Sequence, residues 1–208
     1  MLRAPRRRRR TAQPRLPAAA AAAVDAAERR AVKRAAFMPG SSWRPAYVAV
    51  GSNLNQPRRQ VCDAFERLAA LPDTRLELRS RIYLTRPMGL EDQPDFVNAA
   101  AGLLTRLGAR ALLDALLAIE LAMGRRRQER WGPRIIDLDL LWMHGEVIDE
   151  PGLTLPHPGV SERNFVLYPL CDIAPTLMIP GHGHVMDLKS RAGSGGISVL
   201  EYIESRLK

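Results

Sequence analysis

The run Gly124-Arg-Arg-Arg-Gln-Glu-Arg-Trp-Gly-Pro-Arg-Ile-Ile-Asp-Leu-Asp139 constrains this chain more than any other stretch. It puts five arginines (Arg125, Arg126, Arg127, Arg130, Arg134) and Trp131 in a short loop that feeds an apolar segment broken only by Asp137 and Asp139. Side chains two apart on a strand share a face, so the two aspartates project together. Ile136, Leu138, Leu140 and Trp142 are expected on the other face. Two carboxylates on a core strand are costly unless paired. Arginines clamp phosphates, and carboxylates hold the magnesium that accompanies them. The run therefore predicts a magnesium–nucleotide site.

The chain has a formal net charge of +9 and a pI near 10.5, which invites a nucleic-acid reading. The charge is unevenly placed. Residues 1–45 hold twelve Lys/Arg against Asp25 and Glu28, a net +10, so residues 46–208 sum to −1. Residues 1–45 are Arg-, Ala- and Pro-rich, with almost no large apolar side chain before Phe37 and Trp43. Such a segment buries too little surface to offset its ordering entropy and reads as a disordered extension, with Met38 as an alternative start. It lacks the apolar core of a secretory signal and the serine content usual in a transit peptide. Cys62 and Cys171 show no metal-ligand spacing and read as reduced residues of a cytoplasmic protein. No apolar run approaches the ~20 residues of a membrane helix.

Along residues 46–184 the pattern is β-α-β-β-α-β. Ala46 to Val50 reads as a strand turning at Gly51-Ser-Asn-Leu54, and Pro57 opens a helix with the stripe Val61, Ala64, Phe65, Leu68, Leu71. Arg75 to Leu84 alternates, and Phe96 to Leu104 is a further strand. Gly108 to Met123 is a helix with Leu113, Leu116, Leu117 and Glu120 in line and Gly124 as its cap. A hairpin joining the aspartate strand to Val147-Ile148 is expected, then a helix capped by Ser161. Residues 185–208 read as a tail with a short helix over Ile197 to Leu207, and Gly193 to Gly196 as a flexible loop within it. The order suits one α+β domain, a ferredoxin-like α/β sandwich with a mainly antiparallel central sheet.

No G-x-x-x-x-G-K-[ST] or strand-following G-x-G-x-x-G occurs, so side chains must hold the nucleotide. An isolated D-x-D is more often a solvated pair, and lone histidines are more often structural. The Trp131-Gly-Pro interruption, however, argues for a shaped loop. Glu120 on a buried helix face points to the same region, either as a ligand or as a partner for an arginine. His157 is fixed between Pro156 and Pro158. Phe96 and Phe165 would ordinarily be core, yet each lies beside polar residues (Asp95 and Asn98; Arg163 and Asn164), as the walls of a ring-binding pocket would.

In order, the chain carries Gly51-Ser-Asn-Leu54, Tyr83-Leu-Thr-Arg-Pro-Met-Gly89, Asp92-Gln-Pro-Asp-Phe-Val-Asn-Ala99, Glu120, Gly124-Arg-x-Arg127, Arg130-Trp-Gly-Pro-Arg134, Asp137-Leu-Asp139, Leu155-Pro-His157 and Arg163-x-Phe-Val166. Together these resemble the 6-hydroxymethyl-7,8-dihydropterin pyrophosphokinases of folate biosynthesis, over about Ala46 to His182. The resemblance implies transfer of the β,γ-diphosphate of ATP to the pterin hydroxymethyl group, with release of AMP. It implies that Asp137 and Asp139 hold two Mg²⁺ ions, and that Arg125 and Arg134 act with them in catalysis. It places Glu120, Arg127, Arg130, Trp131, His157 and Arg163 on ATP. It puts Phe96 and Phe165 on the two faces of the pterin, with Asn98 and the backbone near Thr85, Pro87 and Met88 reading its edge. Three departures stand out, Phe96 where tyrosine is also common, Arg86 where proline is frequent and Arg126 as an added charge. No membrane partner, no specific nucleic acid and a monomer are expected. The rivals are another magnesium-dependent nucleotidyl- or glycosyl-transferase using the D-x-D pair, and a nucleic-acid-binding module led by the basic extension.

Overall fold

A computed structural model of the chain describes residues 42–87, 92–125 and 132–201. The expectations placed on Met88, Arg126, Arg127, Arg130, Trp131 and the extension before residue 42 lie outside those residues.

The centre is an antiparallel sheet built on β4 (Phe96–Thr105), flanked by β1 (Arg44–Ser52) and then β5 (Asp137–Met143). On its other edge β4 pairs with two strands, β2 (Thr74–Arg79) along its C-terminal half and β3 (Ile82–Thr85) along its N-terminal half. The single expected strand over Arg75 to Leu84 is thus two, broken at Ser80. There the Ser80 hydroxyl accepts the Ala100 N–H at 2.8 Å, replacing a ladder bond with a side-chain one.

Helices cover both faces. On one face lie α1 (Pro57–Ala69) and α2 (Ala109–Ala122), which bury Phe65, Leu68, Leu112 and Leu116 against Val48, Val50, Ala99, Ala101 and Leu138. On the other lie α3 (Asn164–Ile173) and α4 (Val185–Ala192), around Leu141, Trp142, Val166, Leu167 and Leu170. A strand buried on both faces reads as a continuous apolar run. That is why β4 shows Val97, Ala99, Ala100, Ala101 and Leu103 without a polar alternation. Each large side chain buried in this way stabilises the fold by roughly 2 kcal/mol.

Four local expectations change. The α2 stripe is rotated: Leu112, Ala115, Leu116 and Ile119 are buried, Leu113 lies at the margin and Leu117 is exposed. A β-bulge opposite Tyr47 and Val48 puts an extra residue, Leu141, into β5. Leu141 and Trp142 consequently both pack beside α3, and Trp142 is not on the face of Leu138 and Leu140. The His144-Gly145 turn does not lead back onto β5; instead β6 (Ile148–Glu150) pairs with β7 (Leu153–Leu155). Finally, α3 begins at Asn164 with Arg163 as its N-cap, so Ser161 is not the cap.

The C-terminal stretch is also more structured than a tail. Its helix is α4, and Ile197–Glu201 is a strand, β10, paired antiparallel with β3 at the edge of the sheet. Two short strands, β8 (Met178–Ile179) and β9 (Gly183–His184), form the turn before α4.

Candidate active site

The register of the sheet assembles the site. Gly51 pairs with Asn98 on one side and with Asp137 on the other, and Tyr83 pairs with Asn98. Residues opposite in register share a face, so Tyr83, Asn98, Gly51 and Asp137 form one lateral row on the α3 side. Phe96 and Asp139 lie on that face too, each two positions from a member of the row. Gly51 leaves a gap in the middle. A Cβ there would come within 2.9 Å of the Asn98 Oδ1.

On the acidic side, α2 ends in a Schellman motif at Gly124 (φ 90°), where Gly124 N–H donates to Leu121 O at 3.0 Å and Arg125 N–H to Glu120 O at 3.0 Å. That turn folds Arg125 back over its own helix. Its Nη1 pairs with the Glu120 carboxylate and lies 2.6 Å from Asp137 Oδ1. Arg134 Nη1 pairs with the second oxygen, Asp137 Oδ2. Glu120, only 3 % exposed, also accepts the Leu138 N–H at 2.7 Å, and so ties α2 to the strand between the two aspartates. Burial is the main cause raising the Glu120 carboxyl to about 7, with Arg125 opposing it.

Asp139 is different. Burial, and then the charge of Asp137, raise its carboxyl to about 6, against the opposing pull of Arg163, Arg125 and Arg134. Two carboxylates on one strand face are a donor set that suits a divalent cation. Among the described residues no group of three or more His, Cys, Asp or Glu is assembled, which leaves room on this pair for phosphate and water oxygens. That partial set fits magnesium carried with a nucleotide.

His157 follows the cis Leu155–Pro156 bond and is held by its N–H to Leu141 O at 2.8 Å. Its Nδ1 accepts the Gly159 N–H at 3.1 Å, which leaves Nε2 to carry the proton of the neutral ring. Burial and then Arg163 lower its pKa. Gly159 in turn makes room for Arg163: a Cβ would meet the guanidinium at 2.6 Å. The Arg163 guanidinium lies 5.9 Å from the Phe165 ring centroid.

On the apolar side, Asn98 is 7 % exposed and donates from Nδ2 to Thr85 Oγ1 at 2.7 Å, which fixes the orientation of its amide. Phe96 and Phe165 are half-buried, as rings that keep one face for a ligand would be. Thr85 pairs with Phe96 at the end of β3, and Pro87 follows.

Sequence reasoning missed two residues of this region. Gly51 was expected only as part of a turn, yet it is in β1 and spaces the row. Asn53, 2 % exposed, joins three segments: it donates its N–H to Arg134 O (3.1 Å), accepts the Arg134 N–H at Oδ1 (2.8 Å), and donates from Nδ2 to Gln93 Oε1 (3.2 Å) and Pro94 O (3.1 Å). The G-S-N-L motif was the available signal, since a buried asparagine after a strand must satisfy several hydrogen-bonding groups.

Comparison with known proteins gives a consistent picture. The profile of the 7,8-dihydro-6-hydroxymethylpterin-pyrophosphokinase family matches residues 47–175. A 2-amino-4-hydroxy-6-hydroxymethyldihydropteridine pyrophosphokinase of Pseudomonas aeruginosa is 47 % identical over 154 residues, covering 74 % of this chain and 95 % of the relative. One from Methylorubrum extorquens is 43 % identical over 75 % of this chain and 98 % of the relative. Among solved structures, Plasmodium falciparum HPPK-DHPS A437G with pteroate superposes with a TM-score of 0.59 at 13 % identity, over 74 % of this chain and 44 % of that one. At that identity the likeness speaks for the fold alone.

Proposed function

The chain belongs to the 7,8-dihydro-6-hydroxymethylpterin pyrophosphokinase family, the ATP-dependent diphosphokinases of folate biosynthesis, and from that premise we propose how its own residues carry the reaction. The nucleotidyl- or glycosyl-transferase rival gives way to this membership.

In the transfer, the pterin hydroxymethyl oxygen bonds to Pβ of ATP, the bond from Pβ to the α,β-bridging oxygen breaks, and AMP leaves. Phosphoryl-type transfer depends on positioning and on neutralising charge. Asp137 and Asp139 would hold the magnesium ions, two in number on this reading, and the ions would supply shielding of the phosphate charges. Arg125 and Arg134 converge on Asp137 and present planar forks that match phosphate as well as carboxylate. They exchange the aspartate for phosphate oxygens as ATP enters and stabilise the charge moving onto the leaving AMP.

Arg127, Arg130 and Trp131 complete the ATP contacts, together with His157 and Arg163. Glu120 belongs to the same set because it sets the position of Arg125. The pterin stacks between Phe96 and Phe165, and the fixed amide of Asn98 reads its edge beside Thr85, Pro87 and Met88. The gap over Gly51 then brings the hydroxymethyl group toward the phosphates. We further propose a monomer, and a cytoplasmic location, the latter supported by Cys62 and Cys171, which form no disulfide. None of the described helices is long and apolar enough to cross a membrane.

The lateral row from Asn98 through Gly51 to Asp137 carries this reading, because one face of one sheet holds both the ring-reading amide and the metal-binding carboxylate. Incubation with ATP, Mg²⁺ and 6-hydroxymethyl-7,8-dihydropterin is expected to yield AMP and the pterin diphosphate. Formation of ADP, or AMP formation independent of the pterin, would refute it.

A further inference from the structure

The segment 193–201 lies beyond the family match, yet it bridges the two walls of the pterin pocket. β10 runs along β3, with Ile197 opposite Thr85, the residue whose hydroxyl orients Asn98. Just before the strand, Gly196 O accepts the Arg86 N–H at 3.0 Å, so the first residue of the pterin loop is held by this segment. Gly196 has φ +69°, and a Cβ there would rest 3.5 Å from the Arg86 Cβ. One residue earlier, Gly195 O accepts the Asn164 Nδ2 hydrogen at 2.9 Å. Asn164 is the first residue of α3, between Arg163 and Phe165. Two adjacent carbonyls therefore fasten β3 on one side and the start of α3 on the other.

We propose that residues 193–201 form a strap that sets the width of the pterin pocket, with Asn164 as the positioning residue that holds Phe165 against the Thr85–Asn98 wall. This rests on the assignment of the pterin pocket given above. A free helix start adjusts as a unit, and the Phe165 ring moves with it. A stacked ring tolerates little change in spacing before contact is lost. The ATP side is fastened separately, through Glu120, Asn53 and the arginine pairs, so loss of the strap separates the two substrates.

The test compares Asn164→Asp, Asn164→Ala and Gly196→Val by steady-state kinetics and thermal melting. Asn164→Asp keeps the shape but cannot donate to Gly195, while a carboxylate in the first turn suits the helix dipole. Its melting temperature should hold or rise while the KM for the pterin rises about fivefold, the size of one net hydrogen bond. Asn164→Ala and Gly196→Val should raise the same constant, with the KM for ATP within about twofold. An unchanged pterin KM in the Asn164 variants, or a parallel rise for both substrates, overturns the strap. Phe165→Ala serves as the control. If Phe165→Ala raises the pterin KM and the Asn164 variants do not, only the strap fails; if it leaves that KM unchanged, the pocket assignment falls and the strap falls with it.

Discussion

Asn98 and Asp137 face the same side of the sheet in one lateral row, separated only by the side-chain-free Gly51. Adjacent strands are ~4.8 Å apart, so the two side chains start about 10 Å from each other. That span suits a pterin whose ring edge is read at one end and whose hydroxymethyl group reaches a metal-bound diphosphate at the other. On the proposed assignment recognition and chemistry share a rigid element, which limits the cost of bringing two substrates into line.

Gly51→Ala should therefore damage pterin use more than folding. The added Cβ would sit 2.9 Å from Asn98 Oδ1, and the bond to Thr85 keeps that amide from turning away. Overpacking of this kind costs about 1–3 kcal/mol. Steady-state kinetics should show the pterin KM raised roughly tenfold or more, with the ATP KM little changed. Wild-type kinetics in this variant would mean that no substrate atom crosses the gap.

Asp137→Asn and Asp139→Asn test the metal assignment. Each removes one charge from the cation site while keeping shape, and AMP formation should fall by on the order of 10²–10³-fold. The folds should persist by circular dichroism, because both side chains are partly exposed. Titration with Mn²⁺ in the presence of a non-hydrolysable ATP analogue gives a second readout, and undiminished ion binding in both variants would count against the assignment.

Much of this site could be read from the sequence because its signals are local. The D-x-D spacing alone puts two carboxylates on one face, as the pairing of β5 with β1 shows. The Gly124 cap was visible as a glycine after an apolar helix, and its positive φ bears that out. What stayed hidden depends on long-range pairing. No local pattern distinguishes a helix over Ile197 to Leu207 from an edge strand seeking β3. The bulge that turns Trp142 toward α3 arises from the pairing of β5 with β1, not from the alternation of β5 itself. The α2 stripe was misplaced because almost every residue of that helix is apolar, so its burial is decided by the neighbour rather than by period.

A structural prediction concerns the other end of α3. Asp172 accepts from Arg81 N–H (3.1 Å), Nε (3.0 Å) and Nη2 (2.5 Å), and from the Tyr83 hydroxyl at 2.9 Å. Asp172→Ala strands a partly buried guanidinium and the buried Tyr83 hydroxyl together. It should lower stability by about 2–3 kcal/mol in urea unfolding. Tyr83→Phe removes one donor only and should cost about 1 kcal/mol. An Asp172→Ala loss no larger than the Tyr83→Phe loss would show that the arginine pair contributes nothing.

The carboxyls of the site also give the fold a pH dependence whose sign is fixed. Asp139 is raised to about 6 and Glu120 to about 7, both mainly by burial, so the folded chain binds their protons more tightly than the unfolded chain does. Their contribution to stability is complete below about pH 4, near the ordinary carboxyl range, and is lost as pH rises to about 7. Ion-paired carboxylates elsewhere contribute in the opposite sense, so the informative quantity is the difference between variant and wild type. Scanning calorimetry from pH 4 to 8 should show a shallower loss for Glu120→Gln, whose amide oxygen still accepts the Leu138 N–H. Adding Mg²⁺ with a non-hydrolysable ATP analogue should flatten the wild-type profile as well, because a cation favours the ionised form of Asp139. Identical pH profiles for wild type and Glu120→Gln would show that burial of Glu120 is fully offset by Arg125.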